Sequence, residues 1–219
     1  MLAVAYLRAN RIEDAKPLIY EVMREDVVIK SPARRLEFRR RAYERFDQEM
    51  ALAACRGIGR DTLNIERIAA RAEELASLSD EVVMKALADA TPGEAILALR
   101  KVDSFTLAQL PYAERKLLTL GKLTDDEAFA GDTLFKAFQR VLYPSFCDPK
   151  NDFCRNFFNR PLTAAMTSGG VAAAVGKYMQ SAQIGLTGLA VGVSAMLIKL
   201  GVATLCERYK PRGVLVDFR

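Results

Sequence analysis

Histidine and tryptophan are both missing from the 219 residues of this sequence. Histidine is the commonest proton shuttle and metal ligand in proteins, because its ordinary pKa lies close to neutral pH. Without it, acid–base chemistry falls to Asp, Glu, Lys, Tyr or Cys, and an enzyme is the least favoured class of function. We therefore expect no catalytic residues, no resident metal, no cofactor and no small-molecule substrate.

Cysteine is scarce, and the four cysteines are widely spread: Cys55, Cys147, Cys154 and Cys206. This usage is typical of a reducing compartment rather than of a disulfide-built secreted scaffold. The apolar opening of the chain is interrupted by Arg8, unlike the core of a signal peptide. We expect a cytoplasmic protein, with the inner face of a membrane as its second location.

Two of these cysteines, Cys147 and Cys154, lie in the longest break in the helical pattern, residues 144–161. No CxxC pair and no histidine accompany them, which disfavours zinc. Two interpretations remain. Cys147 and Cys154 are either ordinary buried thiols or a redox-active pair.

Helix-start signals are dense. Ser79 precedes two acidic residues, and the stretches 91–94 and 124–127 fit capping boxes beginning at Thr91 and Thr124. Apolar residues recur at helical spacing in two stripes, which predicts buried faces. The stripes are Ile65, Ile68, Ala69, Ala72, Leu75 and Ala76, and then Leu134, Phe135, Phe138, Val141 and Leu142.

These patterns predict an all-α fold: a multi-helix bundle, or a short repeat-like N-terminal region, followed by a glycine-rich apolar hairpin. The predicted units are a helical domain over 1–143, a Pro-, Cys- and Phe-rich connection over 144–161, and the hairpin over 162–219. Charge supports the last boundary, because six basic but only two acidic residues follow Pro161. Hydrophobic residues make up 51% of the chain, which is ample for a core.

Large and small residues stand at fixed offsets in the first thirty positions: Leu2, Ala3, Tyr6, Ala15, Ile19 and Val22. Small side chains at Ala3 and Ala15 would let two helices approach closely. This spacing resembles a tetratricopeptide repeat entered partway through its first helix. The resemblance implies a helical hairpin over 1–30, in a chain that begins inside a repeat or leans on a partner. Any helical hairpin with alanine at its crossing is the alternative.

The segment 33–56 is rich in arginine, and its candidates for phosphate contacts are Arg39, Arg40, Arg41 and Arg45. Aromatic residues between them could stack on bases. However, Glu37 precedes Arg41 by four residues, as in a helix whose surface charges pair with each other. We favour the self-paired helix, and binding of nucleic acid is the alternative.

The C-terminal region is the most unusual part of the sequence. From Tyr178 to Ile198, 21 consecutive residues carry no charge. A helix from about Ile184 to Leu205 would be long enough to cross a hydrocarbon core of ~30 Å. Arg208, with the basic residues that follow, would suit a cytoplasmic flank.

Seven of the thirteen glycines lie between Gly169 and Gly201, and Gly188 and Gly192 form a GxxxG pair. A glycine inside a helix costs roughly 1 kcal/mol relative to alanine, so such a helix needs a closely packed neighbour. That neighbour is a membrane helix, the core of a soluble bundle or another subunit. The predicted packing residues are Gly185, Gly188, Leu189, Gly192, Met196 and Lys199.

Together these features predict a non-catalytic helical adaptor or effector. Its C-terminal hairpin would insert in a membrane or pack on a partner subunit. A protein partner or a second copy of the chain is the first expectation for a partner, a membrane the second and nucleic acid the third. The alternative function is a soluble nucleic-acid-associated protein that uses segment 33–56.

Overall fold

The computed structural model describes residues 2–25, 28–59, 62–148, 150 and 167–209. All regular secondary structure in these ranges is α-helical, which confirms the predicted all-α class. The helices are α1 (Leu2–Arg8), α2 (Ile12–Arg24), α3 (Pro32–Ala54), α4 (Ile65–Ala76), α5 (Asp80–Asp89), α6 (Gly93–Ala108), α7 (Tyr112–Thr119), α8 (Asp126–Cys147), α9 (Ser168–Ser181), α10 (Thr187–Leu200) and α11 (Val202–Arg208).

Side-chain caps fix several helix starts. The Ser79 hydroxyl accepts a hydrogen bond from the Val82 amide, as the sequence predicted. At α8 the cap is Asp125, which accepts from the Ala128 amide at 2.7 Å, so the predicted cap at Thr124 is one residue too early. The predicted cap at Thr91 is also wrong, because its hydroxyl donates to the Leu87 carbonyl at the end of α5.

One group of helices assembles around α3, which packs against α1, α6 and α8. Phe46 and Met50 of α3 are fully buried between them. The α1–α2 hairpin covers one end, and the small side chains of Ala3 and Ala15 are buried at its crossing. Ile19 is fully buried beside them.

A second group consists of α4, α5, α9 and α10, with α10 packed on the other three. The two predicted stripes are confirmed here and on α8, since Ile68, Ala72, Leu134 and Phe138 are fully buried. The other stripe residues are buried or pack against the core.

Helix α8 joins the two groups, because it contacts α3 and α6 on one side and α5, α10 and α11 on the other. The predicted domain boundary at residue 143 therefore falls inside a helix. Most of the predicted connection, residues 151–161, lies outside the described residues. The buried apolar side chains of both groups form one continuous core.

Candidate functional site

The predicted glycine face of α10 lies against α5, where Gly192 is buried and Gly188 is exposed at the edge of the contact. A Cβ atom built on Gly188 would stand 3.3 Å from the Ala90 Cβ, and one built on Gly192 would stand 3.2 Å from the Leu87 Cα. Both neighbours belong to α5 or its C-terminal cap. In this structure the close neighbour of the GxxxG pair is therefore a helix of the same chain.

The remaining predicted packing residues surround that contact. Leu189 is fully buried, and Met196 is partly buried against the core. The Lys199 ammonium donates to the Leu78 carbonyl at 2.6 Å and pairs with Asp80 at 3.0 Å. Gly185 lies just before α10, where its amide donates to the Ile58 carbonyl at 3.1 Å.

The predicted continuous helix from Ile184 to Leu205 is wrong. Helix α10 ends at Leu200, and Gly201 adopts a φ of 76°, which interrupts the helix before α11. Among the described helices none is by itself both long and apolar enough to cross a bilayer. Helices α10 and α11 reach that length and composition only as a pair, and they are bent by 79°.

The four arginines predicted to contact phosphate all engage carboxylates. Arg39 is buried, and its guanidinium holds Glu114 of α7 at 2.8 Å. Arg40 and Arg41 are half exposed, and both pair with Glu37. The Glu37–Arg41 pair is the one that the self-paired helix predicted. Arg45 is largely buried against Glu49 at 2.7 Å.

Glu49 is the centre of a buried ion-pair cluster. Arg8 from α1, Arg45 from α3 and Arg140 from α8 all approach its carboxylate within 2.9 Å. Burial acts to raise the pKa of Glu49, but the hydrogen bond from Arg8 and the charges of Arg140 and Arg45 outweigh it, so that the pKa is lowered. This cluster ties three helices together through one carboxylate.

A second polar cluster lies between α3, α6 and the α7–α8 loop. The Tyr43 hydroxyl donates to Asp103 Oδ1 at 2.6 Å, and the Lys122 ammonium donates to the Tyr43 hydroxyl at 2.8 Å and to the same Asp103 oxygen. Asp47, one helical turn after Tyr43, lies beside the same hydroxyl. We call Tyr43, Asp47, Asp103 and Lys122 the polar cluster.

The polar cluster is almost sealed from solvent. Asp47 and Asp103 are each 3% exposed, and Tyr43 is buried. Burial raises the pKa of Asp47 well above its ordinary value, and the nearby charge of Asp103 adds to this effect. Burial also raises the pKa of Tyr43, together with the charges of both carboxylates. These groups are therefore held in an environment that penalises negative charge.

Helix α7 lies over this region and buries none of its own residues. Its inward side carries Glu114, which pairs with Arg39, and Leu118, which packs against the core. Its outward side exposes Tyr112 and Leu117, and Leu120 just after the helix is 80% exposed. No pair of helices involving α7 forms more than a slight contact within the described residues.

A disulfide joins Cys147 at the end of α8 to Cys206 in α11. The sequence predicted either an ordinary thiol at Cys147 or a pair of Cys147 with Cys154, and this disulfide is neither of them. Cys154 lies outside the described residues. Cys55 is a free, buried thiol, and burial raises its pKa to about 12. Such a thiol is inert at neutral pH.

The polar cluster and the exposed side of α7 are two features that the sequence reasoning missed, as it did the Cys147–Cys206 disulfide. Asp103 and Lys122 lie 60 and 79 residues from Tyr43, so their meeting depends on tertiary packing. The available signal was the position of Asp47 directly after the aromatic residue Phe46 and one helical turn after Tyr43. No protein-family model, curated protein or solved structure matches this chain.

Proposed function

We propose that this chain is a non-catalytic helical interaction protein that binds another protein through α7. The supporting observation is that α7 is a regular helix of eight residues with none of them buried. Short helices are stabilised mainly by burying one face, so a helix that is only partly covered on its inward side is a candidate for burial against a partner. We define the α7 surface as Tyr112, Arg115, Lys116, Leu117 and Leu120.

The chemistry of the α7 surface favours an acidic amphipathic helix as its occupant. Arg115 and Lys116 are exposed between the apolar side chains, and the only acidic residue of α7, Glu114, already pairs with Arg39. A second copy of the chain would bring the same positive charges face to face across a two-fold axis, and like charges oppose such a dimer. A partner with leucine-type anchors flanked by Asp or Glu meets both requirements.

The three regions to which the sequence analysis assigned partners agree with this proposal to different degrees. The α1–α2 hairpin, with alanines at its crossing, suits the resemblance to a tetratricopeptide repeat and a role in binding proteins. The C-terminal helices would serve as scaffold, and a membrane role would require α10 to leave α5. Binding of nucleic acid through 33–56 has weaker support, because Arg39 and Arg45 are buried against carboxylates.

The test is selection of helical peptides from a displayed library against the folded protein. We expect enriched sequences with apolar residues at helical spacing and flanking Asp or Glu. The double variant Leu117→Glu/Leu120→Glu should abolish their binding, and Arg115→Glu/Lys116→Glu should weaken it at least tenfold. Leu97→Glu is the matched control, since Leu97 is a leucine of α6 that is 73% exposed.

Circular dichroism and thermal midpoints establish that all the variants are folded. The proposal is overturned if no peptide is enriched, or if binding survives the two α7 variants. It is also overturned if sedimentation shows a dimer that Leu117→Glu dissociates, because the occupant would then be a second copy.

A further inference from the structure

The ammonium group of Lys122 occupies a cage of aromatic and acidic side chains. Its Nζ lies 4.1 Å from the centroid of the Phe129 ring and 5.5 Å from that of the Tyr43 ring. It donates hydrogen bonds to the Tyr43 hydroxyl and to Asp103. An aromatic face, here that of Phe129, and a carboxylate around a cation are features with which proteins recognise ammonium groups, and Tyr43 contributes its hydroxyl.

The cage holds more acceptor capacity than Lys122 uses. Asp47 Oδ1 is buried and has no hydrogen-bond donor, although Asp47 is only 3% exposed. A buried carboxyl oxygen without a hydrogen-bond partner is costly, so its position beside a cation site needs an explanation. Arg100 also approaches Asp103, at 3.8 Å, but it pairs more closely with the exposed Asp126. A primary ammonium has three donors and could satisfy such a set of oxygens.

The residues that line the cage belong to packed helices, whereas the lysine inside it belongs to a loop. Tyr43, Asp47, Asp103 and Phe129 are buried residues of α3, α6 and α8, three helices that pack together. Lys122, in contrast, follows Gly121, whose φ is 76°, in the loop after α7. Segments with few buried contacts open at low free-energy cost. Opening of this loop would withdraw Lys122 and leave the walls in place.

We propose that Tyr43, Asp47, Asp103 and Phe129 form a binding site for a primary ammonium on an aliphatic stem, which Lys122 occupies until an external ammonium displaces it. The site selects an ammonium rather than a metal ion, since within the described residues no group of three or more acidic or cysteine side chains converges suitably for a metal. The ligand is a free alkylamine or a lysine side chain of another protein, which share this chemistry. The proposal goes beyond the α7 interaction and stands without it.

The experiment removes the resident lysine and supplies the ammonium from solution. We expect n-butylammonium to raise the thermal midpoint of Lys122→Ala in a saturable manner, with an apparent dissociation constant at least tenfold lower than for the wild type. Three control solutes should not reproduce the effect, because none of them is a primary ammonium. They are n-butanol, and tetramethylammonium and sodium chloride at the same ionic strength. Lys116→Ala, which removes an exposed lysine of α7, should behave as the wild type does.

Two further measurements keep the proposal falsifiable if Lys122→Ala does not fold in buffer. Its refolding should then be recovered by n-butylammonium and by none of the three control solutes. In the wild type, n-butylammonium should shift the ring resonances of Phe129 saturably, whereas n-butanol should not. The absence of both effects overturns the proposal, as does an equal response to tetramethylammonium.

A last arm distinguishes the two sources of the ligand. A capped Gly-Lys-Gly peptide is compared with n-butylammonium on the wild type and on Lys122→Ala. Tighter binding of the peptide supports a lysine from a partner protein, and tighter binding of the amine supports a small alkylamine. Binding of neither compound overturns the site.

Discussion

At the scale of single residues, Asp47 is the most informative side chain of the structure. It lies one turn after Tyr43 on the buried side of α3, where the aromatic neighbours made burial predictable. The sequence could not predict its surroundings, because Asp103 and Lys122 come from distant segments. Helix caps were predictable to within a residue, because a cap depends only on residues that are close in the sequence. The prediction of Ser79 was correct, and the cap predicted at Thr124 is the neighbouring Asp125.

Asp47→Asn should change how stability depends on pH. The pKa of Asp47 is raised in the folded protein, so the folded state keeps its proton at pH values where the unfolded state loses it. Above the ordinary Asp pKa of 3.8, the wild type should lose about 1.4 kcal/mol per pH unit through this group until the folded-state pKa is reached. Asparagine has no such loss, so the stability of the variant relative to the wild type should rise with pH.

Urea titrations between pH 4 and pH 8 measure this difference. Asp89→Asn, at an exposed position at the end of α5, is the matched control and should follow the wild type. If the difference between Asp47→Asn and the wild type is flat across this range, Asp47 is ionised in the folded protein throughout, and the interpretation of its burial is wrong.

At the scale of helices, the glycines of α10 were predictable as a face that needs a close neighbour. Their composition alone could not decide between lipid, a second subunit and the chain's own core. In the structure, the close neighbour of these glycines is α5. Helix α5 also packs against α8, where a Cβ built on Gly131 would stand 3.1 Å from the Ala88 Cα. Helix α5 therefore makes close glycine contacts with both α10 and α8, while Val82, Lys85 and Asp89 on its remaining side are exposed.

Gly192→Ala should destabilise the protein, although alanine is the better helix former. The added Cβ would stand within 3.2 Å of the Leu87 backbone, and moving α5 away from it would disturb the close α5–α8 contact at Gly131. We expect overpacking to cost about 1–3 kcal/mol, more than the gain of ~1 kcal/mol in helix propensity.

Gly169→Ala in α9 is the control for this substitution. The nearest atom to its built Cβ is the Thr167 hydroxyl at 4.0 Å, so this variant should be neutral or slightly stabilising. Denaturant midpoints compare the two variants. Equal midpoints for Gly192→Ala and the wild type would mean that α5 has freedom to move after all.

At the scale of the whole molecule, the all-α class followed from periodicity and capping, whereas the arrangement of the helices did not. The separate C-terminal hairpin was a reasonable inference from composition, but α10 packs on α4 and α5, which lie about a hundred residues earlier. The Cys147–Cys206 disulfide was missed for the same reason, since the two residues are 59 positions apart. Contacts of such separation leave no local pattern.

Reduction of the disulfide should lower the free energy of unfolding. A closed loop of this length restricts the unfolded chain by an amount worth about 4 kcal/mol in the chain-entropy model, and measured effects are typically about 2–4 kcal/mol. Urea titration with and without a dithiol reductant measures the change. The double variant Cys147→Ser/Cys206→Ser must ignore the reductant, and an unresponsive wild type would contradict the expectation.

Arg39, Tyr43 and Asp47 stand at successive turns along one side of α3, and all three are buried. The first meets the carboxylate of Glu114, the second meets Asp103 and Lys122, and the third faces the same two charges. Turning α3 by one residue, about 100°, would carry all three away from these groups at once. Apolar surfaces tolerate several rotations of a helix, whereas these three polar side chains meet their neighbours in only one. They therefore define the orientation of α3, the longest of the described helices.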